Sequence, residues 1–168
     1  MEIKLIKNFL DKNDFEKVEN TVYSGEWVTQ CSDGEDKSNL VFLYQDQSNN
    51  EFFNTYLFNK VEQHLDGNFK LSRIYFNGQW SGRDGNFHSD HCDVTALCYI
   101  SSYEYGWGGF TEIMADNPIV IHPFQNNLLI FPGRLPHKAY SFSYQNCPMR
   151  ISLAFKINHS EDSDDHNT

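Results

Sequence analysis

Apolar residues recur at helical spacing in two segments of the first third of the chain. Residues 12–23 open at a polar DKND cluster that is suited to capping a helix, and the apolar positions that follow are Phe15, Val18 and Val22. Residues 49–65 repeat the pattern with Phe52, Phe53, Tyr56, Leu57, Val61 and Leu65. Gly67 then stands where a helix would end. The pattern predicts two helices before residue 68.

From residue 69 the pattern changes to short runs of β-branched and aromatic residues separated by turn clusters such as NGQWSGRDGN, EYGWGG and FPGRLP. The runs predict strands at 69–77, 94–101, 109–114, 118–122, 127–132, 137–142 and 149–157. Many short strands at this spacing indicate an antiparallel sandwich or barrel instead of βαβ units. We therefore predict a mainly β protein, a jelly roll (double-stranded β-helix, cupin-like) buttressed by N-terminal helices.

Alternation along the last strand separates two faces. One face is apolar and consists of Ile151, Leu153, Phe155 and Ile157. The other face holds two cations and consists of Arg150, Ser152, Ala154 and Lys156. The second face is expected to line a polar cavity or solvent. Strand 94–101 alternates in the same way and places Thr95, Leu97, Tyr99 and Ser101 together.

The composition fits one globular domain. The chain has 168 residues, of which 39% are hydrophobic and 15% aromatic, enough to build a core and exclude wholesale disorder. We predict a single domain over 1–157, with helical support at about 1–68 and the jelly-roll core at about 69–157. Residues 158–168, NHSEDSDDHNT, carry no aliphatic or aromatic side chain and are predicted to be an acidic, disordered tail. No apolar run is long enough to cross a bilayer and none resembles a signal peptide, so we expect a cytoplasmic protein.

Charge and cysteine usage narrow the partners. Asp and Glu number 23 against 13 Lys and Arg, for a net charge of −10, and only four of the acids lie in the tail. An acidic body repels a phosphate backbone, which argues against nucleic-acid binding. The four cysteines form no CxxC pair and are predicted to be reduced, mostly buried thiols: Cys31, Cys92, Cys98 and Cys147.

The triplet His88-Ser89-Asp90 places two metal-binding side chains at positions i and i+2, which point the same way on an extended strand. A second histidine, His137, opens a later strand and is the candidate third ligand. Two imidazoles and one carboxylate form a facial set that leaves coordination positions open, as in non-haem Fe(II) oxygenases. An HxD triplet alone more often marks a surface turn, and a lone strand-start histidine is more often structural. The order of the two, followed by Arg150 on the last strand, favours the metal site.

These motifs together resemble a known family. In order they are RIYFNG, HSD, TALCYIS, WGGFTEI, NNLLIFPGRLPHKAY and MRISLAFKI, and they extend from about Leu71 to Ile157. The sequence resembles the Fe(II)- and 2-oxoglutarate-dependent dioxygenase superfamily, specifically its prolyl 4-hydroxylase-like branch.

The resemblance assigns iron ligation to His88, Asp90 and His137. It places four further side chains at the cosubstrate, namely Arg150, Tyr99, Ser152 and Tyr75. A guanidinium offers a two-pronged donor that matches the distal carboxylate of 2-oxoglutarate. The two tyrosines are also compatible with ordinary half-buried strand positions, and Ser152 with a backbone contact. Gly108-Gly109 resembles a glycine pair that opens a strand, and is expected to form a bulge or tight turn instead of a ligand contact.

The resemblance also implies the reaction and its partners. The cofactor is Fe(II), the cosubstrates are 2-oxoglutarate and O2, and ascorbate would act as a reductant. The predicted activity hydroxylates an unactivated C–H, first of all in a prolyl or similar residue of a protein or peptide, with release of succinate and CO2. One alternative is the same chemistry on a free amino acid or small metabolite, and another is a non-catalytic metal-binding jelly-roll module.

Substrate contacts are predicted in the flanking loops and at the cavity mouth, from Trp80, Arg83, Trp107 and Lys156. Residues 24–39 are a candidate lid: closure over the iron favours a small substrate, and an open groove favours a peptide. Demethylases of alkylated nucleic acids carry an Arg at the spacing of Lys156. The Lys found here and the acidic body disfavour that role.

Overall fold

The computed structural model describes residues 1–31, 41–144 and 146–160. These residues contain helix α1 (Lys12–Ser24) and a π-helical segment (Phe52–Leu57) that continues directly as helix α2 (Phe58–Glu62). They also contain ten strands: β1 (Lys4–Ile6), β2 (Val28–Cys31), β3 (Val41–Asp46), β4 (Phe69–Gln79), β5 (Val94–Tyr99), β6 (Thr111–Met114), β7 (Pro118–Ile121), β8 (Leu128–Pro132), β9 (His137–Ala139) and β10 (Arg150–His159).

The strands form two antiparallel sheets. The major sheet has the order β1-β8-β5-β10-β4-β3-β2, and the minor sheet has the order β7-β6-β9. Residues of both sheets pack together, with Leu129 and Phe131 of the major sheet meeting Ile113 of the minor sheet. The predicted fold, mainly β with a double-stranded β-helix and flanking helices, is confirmed.

The two faces of β10 have different surroundings, as the alternation predicts. Its apolar side chains pack with Val18 and Val22 of α1 and with Leu57 and Val61 of the second helical segment. The side chains of Arg150, Ser152 and Lys156 instead line a cavity between the sheets. The helices therefore cover one face of the major sheet and leave its other face to the functional site.

The first helix is as predicted. Asp11 caps it by accepting a hydrogen bond from the Asp14 backbone N–H at 3.0 Å. The second predicted helix is shorter than expected, because a π-helical segment replaces its first turns and regular helix ends at Glu62.

The sequence predicted helical support over about residues 1–68, but this region is not only helical. It also supplies β1, β2 and β3 to the edges of the major sheet. β1 has three residues, too few for an alternation to be recognised. β3 pairs with β4, and this pairing of distant residues is decided only by the tertiary fold. β2 occupies residues 28–31 of the predicted lid, so this part of the lid is a sheet strand. The remainder of the lid, residues 32–39, lies outside the described residues.

The C-terminal boundary also differs. β10 continues through His159, whose backbone N–H donates to Asp93 at 2.9 Å, so the first two residues of the predicted tail belong to the sheet. Residues 161–168 lie outside the described part of the chain. The thiols of Cys92, Cys98 and Cys147 are free, as predicted, but only Cys98 is buried, and burial raises its pKa to about 12.

Across the described ranges, none of the helices combines the length and the apolar character needed to cross a bilayer.

Candidate active site

The loop that carries His88 and Asp90 is fixed to the start of β9 by backbone hydrogen bonds. The His88 N–H donates to the His137 carbonyl at 3.0 Å, and the His137 N–H donates back to the His88 carbonyl at 2.8 Å. The Asp90 N–H donates to the Gly133 carbonyl at 2.8 Å. This isolated antiparallel bridge brings together two histidines that lie 49 positions apart in the numbering.

The three predicted ligands converge at this bridge. One nitrogen or oxygen atom from each of His88, Asp90 and His137 lies within 4.8 Å of the other two. His137 Nε2 is 3.3 Å from Asp90 Oδ2, and His88 Nε2 is 3.8 Å from Asp90 Oδ1. Two imidazoles and one carboxylate on one side of a shared point form the facial donor set expected for a divalent transition metal.

Backbone carbonyls orient both imidazole rings. His88 Nδ1 is 3.0 Å from the Asn86 carbonyl, and His137 Nδ1 is 2.8 Å from the Leu135 carbonyl. A carbonyl only accepts, so Nδ1 carries a proton in both rings and each ring turns its Nε2 toward Asp90. Metal-binding histidines in proteins commonly donate their second ring N–H to a carbonyl in this way, so both rings are oriented as metal ligands would be.

Asp90 has two further partners. The Thr95 hydroxyl donates to Oδ2 at 2.5 Å, and the Lys156 ammonium contacts the same oxygen. Burial raises the pKa of Asp90, but the hydrogen bond from His137 and the charge of Lys156 outweigh it and hold that pKa well below the usual range. Asp90 is therefore a carboxylate at neutral pH.

The donor set lies in a cavity of about 770 Å³, a size that accepts small ligands. Polar and aromatic side chains of both sheets line it. Besides the ligands, the lining residues include Tyr44, Arg73, Tyr75, Gln79, Thr111, Arg150, Ser152 and Lys156. Within the described part of the chain, Asp90 is the only carboxylate that lines the cavity.

Arg150 lies at the end of the cavity away from Lys156, six residues along β10. Its guanidinium reaches Thr111, whose strand partner Ala139 is two residues from His137. The Arg150 side chain is buried, with the residue only 2% exposed. The guanidinium donates to the Gly109 carbonyl at 2.7 Å, the Gln79 side-chain oxygen at 2.8 Å and the Thr111 hydroxyl at 3.1 Å. All three acceptors are neutral. Burial lowers the pKa of Arg150, yet a guanidinium remains charged.

A buried cation held only by neutral acceptors is costly unless an anion joins it. Among the described residues, no carboxylate forms an ion pair with Arg150. Its guanidinium has five N–H donors, of which these bonds engage three. The end of the cavity around Arg150 therefore has the charge and donors to bind a carboxylate.

The resemblance also predicts Tyr75, Ser152 and Tyr99 at the cosubstrate. Tyr75 and Ser152 line the cavity. Tyr99 is fully buried beside Arg150, with its ring 5.6 Å from the guanidinium carbon, and burial raises its pKa. Its hydroxyl donates to Thr111 at 2.8 Å, so it supports the group that holds Arg150.

Gly108 and Gly109 both adopt positive φ, at 78° and 72°. A Cβ at Gly109 would lie 2.3 Å from Phe142, so only glycine fits there. Gly109 also contributes the carbonyl that Arg150 Nε contacts, a role that the sequence did not indicate.

The predicted substrate contacts are dispersed. Trp80 and Arg83 are exposed in the loop after β4, and Trp107 packs edge-on against Phe142 at 5.6 Å. None of the three lines this cavity. Lys156 does line it, with its ammonium on Asp90. Substrate contact by these four residues stays a prediction.

Sequence reasoning missed Gln79, Thr95 and Thr111. Gln79 donates through Nε2 to the carbonyls of Arg83 and Ala139, at 3.0 and 3.3 Å, while its oxygen accepts from Arg150. It thus joins the Arg150 end to the loop that leads to His88. Its position four residues after Tyr75 on one strand face was the only available signal.

No protein-family model and no curated protein matches the sequence. Solved structures match in fold. An oxidoreductase of the 2OG-Fe(II) oxygenase family from Burkholderia pseudomallei has a TM-score of 0.72 at 9% identity, covering 93% of this chain and 85% of that one. A prolyl hydroxylase from Trichoplax adhaerens, in complex with a hypoxia inducible factor peptide fragment, has a TM-score of 0.67 at 18% identity, covering 93% and 83%.

HygX from Streptomyces hygroscopicus, with nickel, 2-oxoglutarate and hygromycin B bound, has a TM-score of 0.68 at 10% identity, covering 94% of this chain and 83% of that one. These structures share the double-stranded β-helix architecture with this chain. The chain therefore has the fold of the 2OG-Fe(II) oxygenases, the prolyl hydroxylases among them.

Proposed function

We propose that this chain is an Fe(II)- and 2-oxoglutarate-dependent dioxygenase that hydroxylates an unactivated C–H and releases succinate and CO2. One observation carries the proposal. A facial set of two imidazoles and a carboxylate lies at one end of a single cavity. At the other end lies a buried arginine that has no carboxylate partner among the described residues.

The metal end fits Fe(II) by the chemistry of its donors. His88 and His137 would bind through Nε2, because their Nδ1 protons are engaged by backbone carbonyls. Asp90 would bind as a carboxylate, its charge partly offsetting that of the ion. Thr95 and Lys156 fix the orientation of this carboxylate.

The Arg150 end fits the distal carboxylate of 2-oxoglutarate. A planar guanidinium gives two parallel hydrogen bonds to a carboxylate, and the low polarity of a buried site strengthens them. Gln79, Thr111 and Gly109 hold the guanidinium in place before the ligand arrives. Ser152 and Tyr75 line the wall between this end and the metal ligands.

When bound, Fe(II) and 2-oxoglutarate supply the oxidising chemistry: O2 is consumed, 2-oxoglutarate becomes succinate and CO2, and a C–H of the substrate becomes C–OH. The protein positions the reactants and limits the access of water. The Tyr99 phenol stays neutral because burial raises its pKa, so no second anion competes for Arg150.

The test is an anaerobic titration with Fe(II) and 2-oxoglutarate, followed by absorption spectroscopy. We expect the weak visible band of a chelated ferrous complex in the wild type and its loss in His137→Ala. Admission of O2, with ascorbate present, should then yield succinate from the wild type only. A wild-type protein that shows neither the band nor succinate would instead be the non-catalytic metal-binding module.

Two substrate classes follow from separate observations. The sequence motifs resemble the prolyl 4-hydroxylase-like branch, and the Trichoplax neighbour is a prolyl hydroxylase in complex with a peptide, which favours a prolyl or similar residue of a protein or peptide. The cavity volume of about 770 Å³ favours a small metabolite, and HygX is a neighbour with the small molecule hygromycin B bound.

The cytoplasmic location stays a prediction.

A further inference from the structure

Arg73 is a third cation at the cavity, at the end that holds the metal ligands. On β4 it is paired directly across from Lys156 of β10, whose ammonium contacts Asp90. The side chains of Arg73 and Lys156 both line the cavity, on its β4 and β10 walls. Arg73 therefore lies near the metal ligands and far from Arg150.

The Arg73 guanidinium has an aromatic partner and no anionic one. Its central carbon is 4.7 Å from the centroid of the Tyr75 ring, and the Tyr75 ring in turn lies 5.0 Å from that of Tyr44. Within the described ranges, Arg73 forms no hydrogen bond and no ion pair. Asp46, the acid across from Tyr75 on β3, accepts instead from Ser48, at 3.0 Å from its N–H and 2.7 Å from its hydroxyl.

The other two cations of the cavity have assigned partners. Lys156 is paired with Asp90, and under the proposed function Arg150 is paired with 2-oxoglutarate. Among the described residues that line the cavity, Asp90 is the only carboxylate, so this part of the wall offers Arg73 no anion. A guanidinium that is stacked on an aromatic ring keeps its N–H edge available for a carboxylate or phosphate.

We propose that the substrate is a small anion, with a carboxylate or phosphate group bound by Arg73 and an apolar part against the rings of Tyr44 and Tyr75. This inference rests on the proposed function, because it assigns the substrate of the same site. The charge of the chain favours a small anion over an acidic peptide. A net charge of −10 repels a polyanion, while Arg73, the cavity cation left without an anion among the described residues, attracts a single charged group.

The experiment measures binding of matched probes by calorimetry, with Ni(II) in place of iron and 2-oxoglutarate present. The probes are phenylacetate, phenyl phosphate and the neutral phenylacetamide. We expect the two anions to bind at least about tenfold more tightly than the amide, and Arg73→Gln to remove that preference. Lys70→Gln is the matched control, since it removes a cation from an exposed position of the same strand outside the cavity. It should bind the probes like the wild type.

Each other outcome overturns the inference in a distinguishable way. Equal binding of the anions and the amide, or unchanged binding by Arg73→Gln, overturns it and leaves the proposed function standing, provided that 2-oxoglutarate still binds. Weaker 2-oxoglutarate binding by Arg73→Gln would instead assign Arg73 to the cosubstrate. Tighter binding of a Glu-rich peptide than of phenyl phosphate would reject the small molecule. Failure of the wild type to bind 2-oxoglutarate overturns both the proposed function and this inference.

Discussion

The two ends of the cavity treat charge in opposite ways. At the metal end, Asp90 meets Lys156, the Thr95 hydroxyl and the Nε2 side of His137, so its charge is compensated before any ion arrives. At the other end, Arg150 is more deeply buried, and its hydrogen-bond partners among the described residues are an amide oxygen, a hydroxyl and a peptide carbonyl. The carboxylate at the metal end is paired with a cation, whereas the guanidinium of Arg150 has no anionic partner among the described residues.

The difference indicates what each end is built to bind. A buried charge without a partner is costly, and Lys156 supplies that partner to the Asp90 carboxylate. A metal ion that binds Asp90 can therefore replace the Lys156 contact without leaving the carboxylate unpaired at any stage. A buried arginine with neutral acceptors gains most from an incoming anion, so the other end is poised for a carboxylate.

The largest effect is expected from breaking the donor set. Asp90→Ala or His137→Ala should lower the affinity for Mn(II) or Fe(II) by more than about 100-fold, since changes even to the groups that support ligands cost 10- to 100-fold. Turnover, measured as succinate, should be lost. His91→Ala is the control, because His91 follows the motif, lines the cavity and is not part of the donor set. Succinate production at the wild-type rate by either ligand variant would contradict the assignment.

Arg150→Met is expected to have the next largest effect. Losing two charge-assisted hydrogen bonds should weaken 2-oxoglutarate binding by roughly 100-fold, whereas Arg150→Lys keeps the charge and should lose less. In the wild type, 2-oxoglutarate at 100 times its Kd should raise the melting temperature by roughly 5–10 °C. That shift should disappear in Arg150→Met at the same concentration, while metal binding persists. An unchanged shift would mean that the anion binds elsewhere.

Gln79→Leu tests whether the two ends are coupled. It removes one acceptor from Arg150 and two hydrogen bonds to the backbone of the Arg83 loop and β9, so 2-oxoglutarate affinity should fall about tenfold and metal affinity a few-fold. Thr111→Val is the comparison, because Thr111 accepts from Arg150 without a link to that loop. It should weaken 2-oxoglutarate binding but not metal binding. Identical metal affinities in both variants would show that the ends act independently.

Lys156→Met should change the binding of the metal and of 2-oxoglutarate least. It should instead change the melting temperature of the protein. The metal-free protein should melt at a lower temperature, because Asp90 loses a buried partner, while the increase on adding Mn(II) should become larger. The folded-state pKa of Asp90 lies below its ordinary value, so the stabilisation by Lys156 is present above about pH 4 and fades as the pH falls further. If Lys156→Met were as stable as the wild type at pH 7, Lys156 would not compensate the charge of Asp90.

Much of this site could be predicted from the sequence, for specific reasons. The i, i+2 spacing of His88 and Asp90 indicated a shared direction, and the alternation in RISLAFKI separated Arg150, Ser152 and Lys156 from the apolar core face. These inferences depend only on local backbone geometry, which a short sequence motif carries. The strands β1, β2 and β3 were missed because edge pairing with distant residues leaves little local signal.

By itself the sequence determined the residue types, the faces of the strands and the order of the motifs, and hence the fold class and the candidate ligands. Only the tertiary structure decided which charges are compensated. Gln79, Thr95, Thr111 and the Gly109 carbonyl became partners of the site because register and sheet packing brought them there. The physical reason is that spacing fixes where a side chain points, while its electrostatic surroundings depend on residues that are distant in the chain and meet only when both sheets have formed.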